Sequence, residues 1–302
     1  MFRRFASALS LIAIFQGSAA LAQTPVEYNL GGAARAKDLV LPTEVSDIAS
    51  ATAPVMALYK PDGGGPFPAL VLLHQCGGLR PNGNPNMSML DWAKTAVARG
   101  YAVLQLDALA QRGADTLCFG PQKDIAPSRG ALDALQAAAH LRKLPFVDKD
   151  RVALAGFSWG GGIALLVGSS QTAKKLNQSQ RYNAVVSSYP ACVAHPRDGT
   201  PPYTTVLSGI DRPLLAMFGG RDTETVPGDC IPLLDRQKQA GAPIEWHVYP
   251  EANHCWDCAS MSGRKFKDIR GNINEYLYDG GVTRDQTERM FAFIETAFKA
   301  RR

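Results

Sequence analysis

The sequence has no basic run longer than a pair, as at Lys174-Lys175 and Arg301-Arg302. With a net charge of only +5, this gives no electrostatic case for nucleic acid. It has no internal repeat and no low-complexity segment, which excludes a repeat architecture. Past its first residues it has no convincing membrane span. Val152 to Ser170 is apolar enough, but it carries five glycines and switches midway from strand-like to helix-like composition. Histidine is scarce, at five residues, and no Cys/His set has zinc-finger spacing. No metal or organic cofactor is expected.

What is present begins with a targeting pattern. Arg3 and Arg4 precede an apolar run from Phe5 to Phe15, and Ala20-Leu21-Ala22 forms a small-x-small cleavage signal. Residues 1–22 are therefore expected to be a signal peptide, and 23–302 a single domain. After cleavage no stable membrane insertion is expected, and the chain would be exported to a periplasmic or secreted location. Its six cysteines, an even number, fit that compartment. Pairing loops that follow neighbouring strands gives Cys76–Cys118, Cys192–Cys230 and Cys255–Cys258, one of 15 connectivities.

Apolar, β-branched runs alternate with helical stretches. Strands are expected at Val55–Lys60, Ala69–His74, Tyr101–Asp107, Arg151–Gly156, Asn183–Tyr189, Pro213–Phe218 and Ile244–Tyr249. Helices are expected at Asp91–Arg99, Ser128–Leu144, Gly160–Ser169, Pro232–Gln239 and Thr287–Phe298. This alternation implies an α/β fold with a mainly parallel sheet, helices on both faces and no large lid domain. Ligands of such sheets sit at the carboxyl ends of the strands, so the following loops are where function is sought. Two irregular stretches, 192–203 and 259–281, are candidates to wall a site.

Gly156-Phe157-Ser158-Trp159-Gly160 matches G-x-S-x-G between a buried strand and a Gly-rich apolar helix. In that turn a serine hydroxyl stands exposed, and the helix start offers N–H groups to a developing anion. A serine needs a base, and the base an orienting acid. Asp222 follows the strand at 213–218 and His254 follows the strand at 244–249, giving the order Ser, Asp, His on three carboxyl-end loops. Glu224 competes as the acid but lies further from its strand end. Asp107 is read as a loop anchor, His247 as a packed or surface residue of its strand, and His140 as helical. His195 has no evident partner. The expected oxyanion donors are the N–H of Trp159 and of Cys76, with Gln75 as the alternative. His74 is expected to shape that loop.

LVLLHQCGG, YAVLQLDALAQRG, GFSWGG, AMFGGRDTETVP and YPEANHCWD together resemble the dienelactone hydrolase family of α/β hydrolases. The resemblance runs from about Val55 to His254 and implies Ser158 as nucleophile, Asp222 as acid and His254 as base. The best-known members use a cysteine nucleophile with a glutamate in the loop after the early strand. This chain has Ser158 and, at the matching position, Gln75. A general ester or lactone hydrolase is therefore expected, acting on a small molecule as a monomer or small homo-oligomer. Arg112 matches a region where members often hold an arginine near the site, which implies either a substrate carboxylate or a loop salt bridge.

Other readings stay open. A peptidase or an acyltransferase could use the same triad. A thiol–disulfide protein could act through Cys255-x-x-Cys258, although that pair follows a late strand and not the strand-to-helix turn of a thioredoxin-like unit. A binding module could keep the fold without catalysis. In EANHCWDC, residues 251–258, the histidine is assigned to the chemistry and the two cysteines to pinning its loop.

Overall fold

The computed structural model describes residues 25–194, 200–268 and 271–300. The expected signal peptide at 1–22, His195 and the Arg301-Arg302 pair lie outside the described residues. Seven strands form the central sheet: β1 (Ala57–Tyr59), β2 (Phe67–Leu73), β3 (Ala102–Leu106), β4 (Val147–Phe157), β5 (Ala184–Ser188), β6 (Leu214–Gly219) and β7 (Ile244–Tyr249). Their spatial order is β7-β6-β5-β4-β2-β3-β1. Every pair is parallel except β1 with β3. The order reverses between β2 and β4, so the loops leaving these strands diverge and open a crevice at their carboxyl ends.

Strand alternation sorts the core into two faces. Leu70, Leu72, Val103, Ala153 and Ala155 pack against α1 (Met87–Ala98) and α6 (Gly280–Lys299) through Met89, Trp92, Ile294 and Phe298. Ala69, Val71, Leu73, Leu104 and Leu154 face the other way, onto α2 (Pro127–Leu141) and α3 (Trp159–Gly168). A short α4 (Ser170–Lys175) follows α3, and α5 (Pro227–Gln239) covers β6 and β7 through Cys230 and Leu234. Both faces are thus covered, as a parallel sheet requires. No helix among the described residues is long and apolar enough to cross a membrane.

The expected strands all form, but helix starts move. α5 begins at Pro227 instead of Pro232, because a proline at the first helical turn loses no hydrogen bond. α6 begins at Gly280 instead of Thr287, because Asp279 Oδ1 accepts the N–H groups of Gly281 and Val282. That N-cap overrides the poor helix propensity of the two glycines. The two irregular stretches acquire small ribbons. Val193–Ala194 pairs with Tyr203–Thr204, and the hairpin β8 (Lys265–Lys267) with β9 (Ile273–Glu275).

Candidate active site

Ser158 sits between β4 and α3 with φ 53° and ψ −111°. This left-handed conformation is costly for a residue with a Cβ, and such strain is characteristic of functional turns. The neighbouring glycines permit it: a Cβ on Gly156 would strike the Gly160 carbonyl, and one on Gly160 the Leu73 carbonyl. The turn is tied to the ends of adjacent strands. Ser158 N–H donates to Ser188 O at 2.9 Å, and Gly160 N–H to His74 O at 3.2 Å.

His254, on the loop after β7, reaches the serine with Nε2 lying 3.0 Å from Ser158 Oγ. Its Nδ1 lies 2.7 Å from Asp222 Oδ2, on the loop after β6. Asp222 Oδ1 accepts the N–H groups of Glu224 and Thr225, both at 2.8 Å. Thr225 Oγ1 sits 2.8 Å from Asp222 Oδ2 and 3.1 Å from His254 Nδ1. The three side chains named from sequence thus form one hydrogen-bonded line. Burial works against a charged imidazole at His254. The carboxylates of Asp222 and Glu224 outweigh it and raise the group to about 9. Glu224 Oε2 stands 3.9 Å from His254 Nε2, so it faces the base without replacing Asp222 in the line.

Ser158, Trp159, Cys76 and His254 border a cleft of about 1580 Å³. Its outer walls include Val193 and Tyr203 from one irregular stretch and Phe266 and Tyr276 from the other. The Trp159 N–H opens α3, where no intrahelical acceptor exists. The Gln75 side chain is bound within the protein. Its Nε2 donates to Tyr189 Oη at 3.1 Å, and its Oε1 accepts Asn86 Nδ2 at 2.6 Å. His74 shapes the loop. Nδ1 lies 2.6 Å from Gln75 O, Nε2 accepts the Ala108 N–H at 3.1 Å, and the ring stacks on Trp159. That pattern fixes one neutral tautomer, and burial pushes the group's pKa down in the same sense. Asp107 anchors its loop by accepting Leu109 and Ala110 N–H groups. His247 packs edge-on to Tyr249, and His140 Nε2 lies 2.8 Å from Pro42 O; neither approaches the cleft.

Arg112 is a correction. It does not line the cleft and has no donor left for a substrate carboxylate. Its two terminal nitrogens hold Asp133 at 2.7 and 2.8 Å, and its remaining donors go to Ala108 O and Lys37 O. The salt-bridge alternative is what the fold uses.

The cysteines pair as Cys76–Cys118, Cys192–Cys230 and Cys255–Cys258, with none free. Ligand atoms of Cys255, Asp257 and Cys258 lie within 4.8 Å of one another. Both sulfurs are spent in a disulfide, and it is the thiolate that binds metal.

The dienelactone hydrolase family model matches residues 55–298, most of the chain. The chain belongs to the dienelactone hydrolase family. It is accordingly a carboxylic ester hydrolase. Among relatives, a candidate carboxymethylenebutenolidase of Methylorubrum extorquens is 25% identical over 215 residues, covering 67% of this chain and 68% of that one. One from Yersinia pestis is 27% identical over 210 residues, covering 66% and 73%. The fold is similar to a crystal structure of a candidate dienelactone hydrolase from Klebsiella pneumoniae, with TM-score 0.60 and 18% identity over 80% of this chain and 92% of that one. It is also similar to a butyrate-bound esterase of Thermogutta terrifontis, with TM-score 0.56 and 16% identity over 80% and 89%.

Sequence reasoning missed Thr225, Tyr189, Tyr276 and Asp257. The rule that carboxyl-end loops carry function would have found Tyr189, directly after β5, and Thr225, three residues past Asp222. Tyr276 and Asp257 carry no local signal, because their partners are distant in sequence. Tyr276 Oη donates to Glu224 Oε2 at 2.9 Å.

Proposed function

We propose that this family member is an exported serine hydrolase that cleaves small carboxylic esters or lactones by two-step acyl transfer. The observation that carries the reading is the unbroken line from Ser158 Oγ through His254 to Asp222. His254 Nε2 takes the Ser158 proton as Oγ attacks the ester carbonyl. Asp222 holds Nδ1–H and stabilises the imidazolium that forms. The N–H groups of Trp159 and Cys76 receive the oxyanion, helped by the start of α3. The tetrahedral intermediate collapses, His254 protonates the leaving alkoxide, and an acyl-Ser158 ester remains. Water, deprotonated by His254, then releases the acid and restores the serine.

Ser158 in place of a thiol removes the need for a carboxylate beside the nucleophile, which is consistent with Gln75 turning inward. Three disulfides support an oxidising compartment. Labelling with a fluorophosphonate probe tests the mechanism: wild type should label and Ser158→Ala should not, and equal labelling of both would refute it. A panel of p-nitrophenyl esters and lactones then separates the substrate classes. Cell fractionation of the native chain tests export.

A further inference from the structure

Tyr189 stands where four carboxyl-end loops meet. It follows β5 with φ 37°, a left-handed conformation unusual for an aromatic residue, and it is fully buried. Its ring meets the edge of His254 with centroids 4.8 Å apart. Its carbonyl oxygen lies 3.1 Å from Thr225 Oγ1, the hydroxyl that braces Asp222 and His254. Its phenol joins the loop after β2 to the loop after β7.

We propose that Tyr189 is a positioning residue that locks the oxyanion loop at Gln75-Cys76 to the histidine loop, with buried Asp257 as its anchor. The inference rests on the triad reading above.

The direction of each hydrogen bond follows from the groups involved. The Asp257 carboxylate has only acceptors. It takes Tyr189 Oη–H at 2.7 Å on Oδ1 and Trp92 Nε1–H at 2.6 Å on Oδ2. With its proton so committed, Tyr189 Oη accepts the Gln75 Nε2–H, and Gln75 Oε1 is left to accept from Asn86. The chain therefore runs one way, from Asn86 through Gln75 and Tyr189 to Asp257. Burial raises the Tyr189 phenol well above its ordinary value, so the donating proton stays in place. Asp257 lies three residues from His254, inside the loop closed by Cys255–Cys258. Gln75 immediately precedes the expected oxyanion donor. A shift at either end of this chain would move the base against the oxyanion site.

Tyr189→Phe keeps the ring and removes only the link. It should lower kcat for a p-nitrophenyl ester about tenfold or more, because small misplacements of reacting groups are costly. KM should stay within about twofold, since the cleft walls are untouched. Asp257→Asn adds a readout that simple loop bracing would not move. The groups facing His254 are Asp222 and Glu224 from the loop after β6, Asp257 on its own loop, and the phenols of Tyr189 and Tyr276. Removing the Asp257 charge should shift the acid limb of kcat/KM to lower pH. A wild-type kcat in Tyr189→Phe overturns the proposal, as does an unmoved acid limb in folded Asp257→Asn. If Asp257→Asn does not fold, Tyr189→Phe decides alone. Fluorophosphonate labelling of Ser158→Ala in the same series separates the two readings, because its outcome tests the triad and not Tyr189.

Discussion

Two clusters of charged side chains are buried in this fold, and they differ in where their hydrogen bonds end. In one, Asp133 is clasped by Arg112 and Arg129, each of them almost wholly enclosed. Every donor of Arg112 is spent on protein acceptors. In the other, Asp222 is equally buried and equally well bonded, but the line it begins ends at Ser158 Oγ on the cleft. Burial and charge do not separate the two clusters. Saturation does. A cluster whose last member faces a cleft can exchange a proton with a ligand, and a closed one can only hold elements together.

The largest effect that would break this contrast lies at the serine. Ser158→Ala should lower kcat about ten-thousandfold or more while leaving the unfolding transition in place. Steady-state hydrolysis and thermal unfolding of the same preparation check both halves. Asp222→Asn should cost kcat about ten-thousandfold as well, since an amide favours the wrong imidazole tautomer. A burst experiment would place the loss in acylation. At the closed cluster the pattern should invert. Asp133→Ala leaves two guanidinium groups buried without their carboxylate and should cost about 3–5 kcal/mol of stability. Its kcat/KM per folded molecule should stay within about twofold of wild type, measured by urea unfolding beside activity.

The smallest effect sharpens the contrast. In the proposed mechanism His254 must be neutral to act as base, so the rate should rise with pH as its proton leaves. Against burial, Asp222 and Glu224 raise its pKa to about 9. Glu224→Gln removes one of those charges, so the acid limb of the kcat/KM profile should move to lower pH. A limb that stays put would mean that Glu224 does not influence the base.

Much of this molecule was legible along the chain because the relevant signals are local. G-x-S-x-G sits where a buried strand hands over to a Gly-rich helix, and Asp222 and His254 each lie on the loop that follows a strand. Arg112 was not legible. Its residue type and its position after a strand suit a ligand contact, and only the arrival of Asp133 from α2 with the Lys37 and Ala108 carbonyls showed it to be full. The Gln75 side chain was not legible either, because its partners Asn86 and Tyr189 are brought to it only by folding.

By itself the sequence determined the parallel α/β architecture, the serine turn and the loops bearing an acid and a histidine. Those features follow from hydrophobic period, glycine placement and chain order, which act over a few residues. Only the tertiary structure decided which polar groups were already satisfied. Hydrogen-bond saturation depends on partners brought together from distant segments, such as Asp257 with Trp92 or Tyr276 with Glu224. A buried donor is structural or functional according to what folding leaves it to bind.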